Sequence, residues 1–229
     1  APAPAAAATW SSWTDTDPAL WVDGDGNTYG AWVRGNYFAT PETIAPAELW
    51  ITRITPAGAK DTTFGTDGIR KHTLETPSAA CSEYPGNADW VSFTPSGEVA
   101  VAWYREVLGG PNGNPCLDEP IIDRYSLTGT RLARTVVGEP GHRWVGAAAD
   151  GGFVKGRPDG TEGFTLVTST GSAGGSIPYD PAIGILPTRF VDQLPGGPVY
   201  MTTTSVFGEV QVQRVGGGAT AFDITASCG

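Results

Sequence analysis

An all-β chain built from repeats of one double hairpin is what this sequence predicts, on three observations. Its 32 Gly and 19 Pro punctuate 229 residues into short segments. Apolar residues alternate or cluster in short runs, and nothing keeps a helical period over three turns, so no helix competes. The same order of aromatic, turn glycine and second strand also returns four times along the chain.

Taken in order, residues 1–8 read Ala-Pro-Ala-Pro-Ala-Ala-Ala-Ala, a low-complexity stretch expected to be disordered and typical of a mature N-terminus left by signal cleavage. The protein is therefore expected to be secreted and extracellular. Residues 9–229 read as a single domain, in which Trp10-Ser-Ser-Trp13 is a candidate closing strand. The first hairpins of the four units are Trp21-Val22…Gly26…Tyr29-Gly30-Ala31-Trp32, Trp90-Val91…Gly97…Ala100-Val101-Ala102-Trp103, Trp144-Val145…Gly151…Phe153-Val154 and Phe190-Val191…Gly197…Val199-Tyr200. Downstream of each lies a second hairpin, beginning at Ile51, Ile122, Leu166 and Val212 and turning at Gly58, Gly129, Gly171 and the Gly216–Gly218 run. Two hairpins make a four-stranded antiparallel sheet. A lone sheet cannot bury both faces, so the units must stack about an axis, which is the logic of a β-propeller of four blades starting near 21, 90, 144 and 190. A five-bladed ring or a pair of β-sandwiches is the alternative.

Charge narrows the partners. With 24 acidic against 14 basic residues and a net charge of -10, the chain repels nucleic acid and anionic membrane surfaces. No apolar run reaches the roughly 18 residues of a membrane helix.

From Ile51 to Gly68 the chain reads Ile-Thr-Arg-Ile-Thr-Pro-Ala-Gly-Ala-Lys-Asp-Thr-Thr-Phe-Gly-Thr-Asp-Gly. This resembles the bacterial delta-60 repeat, with its Arg-bearing strand, Gly turn and Asp-Thr-x-Phe-Gly-x-x-Gly element, and Trp90 to Ala102 is similar to that repeat's other hairpin. The resemblance is specific over residues 50–105 and reduces to the strand pattern beyond them. It implies a propeller fold, common in exported or surface proteins, and no particular activity. It also implies a structural role for Arg53, Arg124 and Arg214, which share the motif's Arg position. Trp21, Trp90, Trp144 and Phe190, which recur at a strand start, are expected to pack between blades.

No catalytic constellation stands out. His72 and His142 are the only histidines, and there is no His-Glu-x-x-His, Gly-x-Ser-x-Gly or phosphate loop. Asp23, Asp25 and Asn27 are spaced as calcium loops begin, but no closing Glu comes after them, and a hairpin turn favours the same residues. Calcium is thus a side hypothesis, and no other cofactor is expected. The turn glycines lead instead to Trp32 with Arg34, and Trp103 with Arg105, at matching strand ends, with Tyr104 beside them. If exposed, an indole beside a guanidinium suits a sugar, so the expectation is a non-catalytic, lectin-like module for extracellular glycans. A protein-binding module is the alternative, such as a protease modulator or an adaptor, and a hydrolase comes third. Cys81 and Cys116 fall in segments inserted relative to the repeat and are expected to form a disulfide. Cys228 is then left over, either an inert thiol or a link to a partner chain.

Overall fold

The computed structural model describes residues 14–35, 47–74, 88–108, 116–138, 141–148, 151–156, 164–177, 186–191, 200–204 and 210–214. The described chain is all β, in four antiparallel sheets that succeed one another in sequence. Sheet one holds β1 (Thr14–Asp15), β2 (Ala19–Val22), β3 (Thr28–Gly35), β4 (Glu48–Ile54) and β5 (Ile69–Thr73). Sheet two holds β6 (Ala88–Phe93), β7 (Val99–Leu108), β8 (Cys116–Tyr125) and β9 (Arg131–Val136). Sheet three holds β10 (Arg143–Ala147), β11 (Phe153–Gly156), β12 (Phe164–Val167) and β13 (Ala173–Ile177). Sheet four holds β14 (Leu186–Val191), β15 (Tyr200–Thr204) and β16 (Val210–Arg214). Residues 21, 90, 144 and 190 each fall in the first full strand of a sheet, as the repeat predicts. Trp10 and Trp13 lie outside the described residues, and β1, just after them, pairs with the end of β3 that β2 leaves open.

One turn recurs through the first three sheets. At 23–27, 55–59, 94–98, 126–130 and 168–172 the first residue's N–H donates to the fifth residue's carbonyl, and the fourth residue's N–H donates back to the first. The turn at 148–152 keeps the first of these bonds. Its fourth position is always glycine at positive φ, from 74° at Gly151 to 88° at Gly171, the geometry of a type I turn closed by a bulge. In four of the turns a hydroxyl on the first residue, Thr55, Thr94, Ser126 or Thr168, accepts the N–H four positions on. All of these turns sit at one end of the sheets, so the long connections after β3 and β7 leave from the other.

The core lies between sheets. Alternation puts Tyr29, Ala31, Val33, Leu49 and Ile51 on one face of sheet one, where they pack against Val91, Phe93, Val99, Val101, Trp103 and Ile121 of sheet two. The opposite face of sheet two carries Ala100, Ala102 and Ile122, which pack on Trp144, Phe153 and Val167 of sheet three. Contact between β10 and β14 joins sheet three to sheet four. Three of the recurring aromatics lie in these seams: Trp21 stacks on Phe93, and Trp90 and Trp144 join the second core. The side chain of Phe190 lies outside the described residues.

Candidate functional site

The end of the sheets away from the tight turns is where the sequence placed its binding pairs. In β3 and β4, Arg34 stands opposite Glu48, and in β7 and β8, Arg105 stands opposite Glu119. The repeat thus sets an Arg–Glu rung at the same level of two neighbouring sheets; in sheet one it is the last rung before the long connection, and in sheet two three further rungs, out to Leu108 opposite Cys116, lie beyond it. The Arg105 side chain lies outside the described residues.

Around the first rung the ladder brings Trp32 opposite Trp50, and Trp50 opposite Lys71. The two indoles are 5.8 Å apart and tilted by 45°. Trp50 Nε1 donates to Glu48 Oε2 at 2.9 Å, the Arg34 guanidinium carbon lies 4.6 Å from the Trp50 ring centre, and Lys71 Nζ lies 3.9 Å from it. Trp50 and Lys71 were not singled out from sequence, because their meeting with Trp32 and Arg34 depends on strand register rather than spacing.

Trp103 requires a correction. It is fully buried, so its indole is closed to any ligand at the surface. Its strand level is the one the turn spacing predicts, but on β7 the face of Val99, Val101 and Trp103 is covered by sheet one. Tyr104 is tied to the next sheet: its hydroxyl donates to the Trp144 carbonyl at 3.1 Å and accepts the Trp144 N–H. Of the five proposed ligand-binding residues, Arg34 lies at the end of β3 as expected, Arg105 stands three residues before the end of β7 rather than at it, and Trp32 is half-buried.

The calcium spacing folds as a turn. Asp23 Oδ1 accepts the N–H groups of Asp25 and Asn27, both at 2.9 Å, and Oδ2 accepts Asn27 Nδ2 at 2.9 Å. These bonds, that from the Asn27 side chain foremost, hold the Asp23 carboxyl below its usual range. Among the described residues no three His, Cys, Asp or Glu side chains gather as metal ligands. Cys81 and Cys228 lie outside the described residues, as does the side chain of Cys116, and so does the expected disulfide.

The shared Arg positions resolve into ion pairs. Arg53 meets Asp61 at 2.5 Å and packs over Phe64 at 5.0 Å, which joins the Arg, Asp and Phe of the repeat motif in one cluster. Arg124 pairs with Glu98 at 2.9 Å, and the Arg214 side chain lies outside the described residues. A buried group that sequence reasoning missed is Asp123, which is solvent-free and held by two bonds from Arg134, at 2.8 and 2.7 Å, and one from the Tyr125 hydroxyl at 3.2 Å. Burial, followed by the Asp123 charge, pushes the Tyr125 hydroxyl well above its usual range. An Asp inside the apolar run Ile121-Ile122-Asp123 was the available signal. His72 sits at the seam under the Gly129 turn with a buried, unpartnered Nε2, and burial, then Arg70, holds its imidazole below the usual range.

No protein-family model matches the chain, and no curated protein matches it. Among solved structures it is similar to the GH93 alpha-L-arabinofuranosidase of Fusarium graminearum, at 10% identity and a TM-score of 0.44, covering 88% of this chain and 57% of that one. It is also similar to a protein of unknown function from Dyadobacter fermentans, at 10% identity and a TM-score of 0.46, covering 93% of this chain and 63% of that one. The chain therefore spans less than two thirds of either structure, and at such identities neither likeness bears on activity or ligand.

Proposed function

We propose that the four sheets are blades of a β-propeller and that the chain is a non-catalytic module binding glycans at the blade ends that carry the long connections. The observation behind this reading is the Arg–Glu rung that recurs at the same level of sheets one and two, Arg34 with Glu48 and Arg105 with Glu119. A guanidinium offers a planar fork of donors and a carboxylate offers acceptors, so each rung matches a pair of sugar hydroxyls that would otherwise be desolvated without partners. Two rungs on adjacent blades add avidity to individually weak sites. In sheet one the Arg53–Asp61–Phe64 cluster gives the Arg, Asp and Phe of the delta-60-like segment a shared packing task, in keeping with that reading.

Glycan-array binding with competition by free sugar tests this. Glu48→Gln still accepts the Trp50 N–H but removes the charge from the rung. It is expected to weaken binding about tenfold, the effect of one charge-assisted hydrogen bond. If no free sugar competes, or if Glu48→Gln and Glu119→Gln bind as the parent does, the glycan reading fails. Sugar-insensitive capture of one stoichiometric extracellular protein would then support the protein-binding alternative.

A further inference from the structure

Four of the tight turns wedge against the sheet that precedes them, and they do so through their glycines. A Cβ at Gly97 would run into Trp21 and one at Gly129 into His72, both in sheet one. A Cβ at Gly151 would meet Thr94, and one at Gly171 would meet Thr135 and Val137, in or just after the strands of sheet two. Only one of these partners, His72, titrates near neutral pH. The ladder supplies its counterpart in the next seam. Leu49 opposes His72 in sheet one, and Pro120, which corresponds to Leu49 when counted from Thr55 and Ser126, accepts the Val137 N–H in sheet two. An imidazole therefore stands in the first seam where the second seam has a buried valine.

His72 is poorly placed to carry a charge. Its Nε2 is buried without a hydrogen-bond partner among the described residues, and burial, then Arg70 two residues before it on the same strand face, opposes protonation. Lys71, on the other strand face, lies against Trp50. The turn above His72, Ser126 to Thr130, carries no titratable side chain. From the flanking strands of sheet two, β8 brings Asp123 and Tyr125, and β9 sets Arg134 and Arg131 opposite them. Asp123 is fully buried and already accepts two bonds from Arg134 and one from Tyr125. Glu119, toward the other end of β8, stands opposite Arg105. In the segment that leads into β5, Asp61 and Asp67 are paired with Arg53 and Lys60. Each of these carboxylates already faces a cation, so an imidazolium at position 72 would meet Arg70 with no carboxylate of its own.

We infer that His72 and the Gly129 turn form a pH-sensitive latch at the β5 edge of the seam between sheets one and two, closed while the imidazole is neutral and released when it takes up a proton. The latch is independent of what the blade ends bind. Once released, His72 reaches water and protonates near its ordinary value of 6.5, above that of the closed joint, so acid favours release and neutral pH favours closure. The Gly97–Trp21 wedge in the same seam does not titrate, so the two sheets stay joined while this one contact opens.

Amide exchange of the full chain, followed residue by residue by NMR, tests the latch against an internal standard. The Gly129 and Gly171 N–H groups make the same turn bond, to the Ser126 and Thr168 carbonyls at 2.8 and 2.9 Å, so the ratio of their protection factors is free of the intrinsic pH dependence of exchange. From about pH 7.5 to about pH 5, Gly129 is expected to lose about tenfold in protection relative to Gly171, the order of effect of one buried group left without a partner. His72→Val, which installs the residue of the second seam, should hold the ratio constant, and His72→Gln serves the same purpose should the valine variant fold poorly. A constant ratio in the parent would overturn the latch, whether both turns keep their protection or lose it together as the whole chain opens. The same relative drop in the variants would also overturn it, because the proton would then be taken up elsewhere.

Discussion

Trp103 and Asp123 show how far a single side chain's environment departs from its type. Trp103→Ala empties a fully buried site between sheets one and two and is expected to cost about 3–5 kcal/mol in urea unfolding, so the variant tests core packing rather than binding. Asp123→Ala leaves the buried Tyr125 hydroxyl without its Asp123 partner and removes two hydrogen bonds of Arg134. Because the Arg134 side chain is partly exposed and can rehydrate, the expected loss is about 1–3 kcal/mol, read the same way. His72 supplies a pH dependence. Its folded-state pKa lies below the unfolded value, so the unfolded chain takes up the proton more readily; the contribution is complete above about pH 6.5 and is lost as pH falls through the folded value. Asp23 and Asp61 are also held low, but their windows open only below about pH 4, so His72→Gln should flatten the stability profile near pH 6 alone. Melting temperatures across pH 4.5 to 8, roughly the range in which histidine titrates, would show this.

At the scale of elements, the turn is the part most legible from sequence and the strand face the least. Glycines flanked by alternating apolar runs located the hairpins of the first three sheets, because only glycine adopts the positive φ that the bulge requires at no steric cost; the turn glycines expected in the fourth unit, Gly197 and Gly216–Gly218, lie outside the described residues. Register and face were not legible: strand alternation says that Trp32 and Trp103 sit at the same level, and nothing in the spacing says which face a neighbouring sheet will cover. The Asp123–Arg134 pair was hidden for a related reason, since its partners meet only through the pairing of β8 with β9. Two turn glycines separate these contributions. Gly58 has φ 77° and open space beside it, so Gly58→Ala should cost about 1 kcal/mol, the backbone strain alone. Gly97 has φ 81°, and a Cβ there would lie 2.5 Å from the Trp21 ring across the seam, so Gly97→Ala should cost about 1–3 kcal/mol more. Equal losses in parallel thermal melts would mean that the turn is not wedged against sheet one.

For the whole molecule, the arrangement predicts a gradient of stability. Sheet two is buried on both faces, so amide exchange should be slowest in its central strands β7 and β8 and faster in its edge strand β9, whose Leu132 and Val136 are exposed. Uniform exchange across sheet two would contradict that order. In each described sheet the ladder joins strands close in sequence, with no strand crossing from one sheet into another, so the energy of the molecule is a sum over sheets and seams between nearest neighbours. The recurring turn has an evolutionary meaning in that setting. Because each double hairpin presents one standard face forward and one backward, a whole unit can be copied or deleted without redesigning its flanks. Selection can then lengthen or shorten the array by gene duplication.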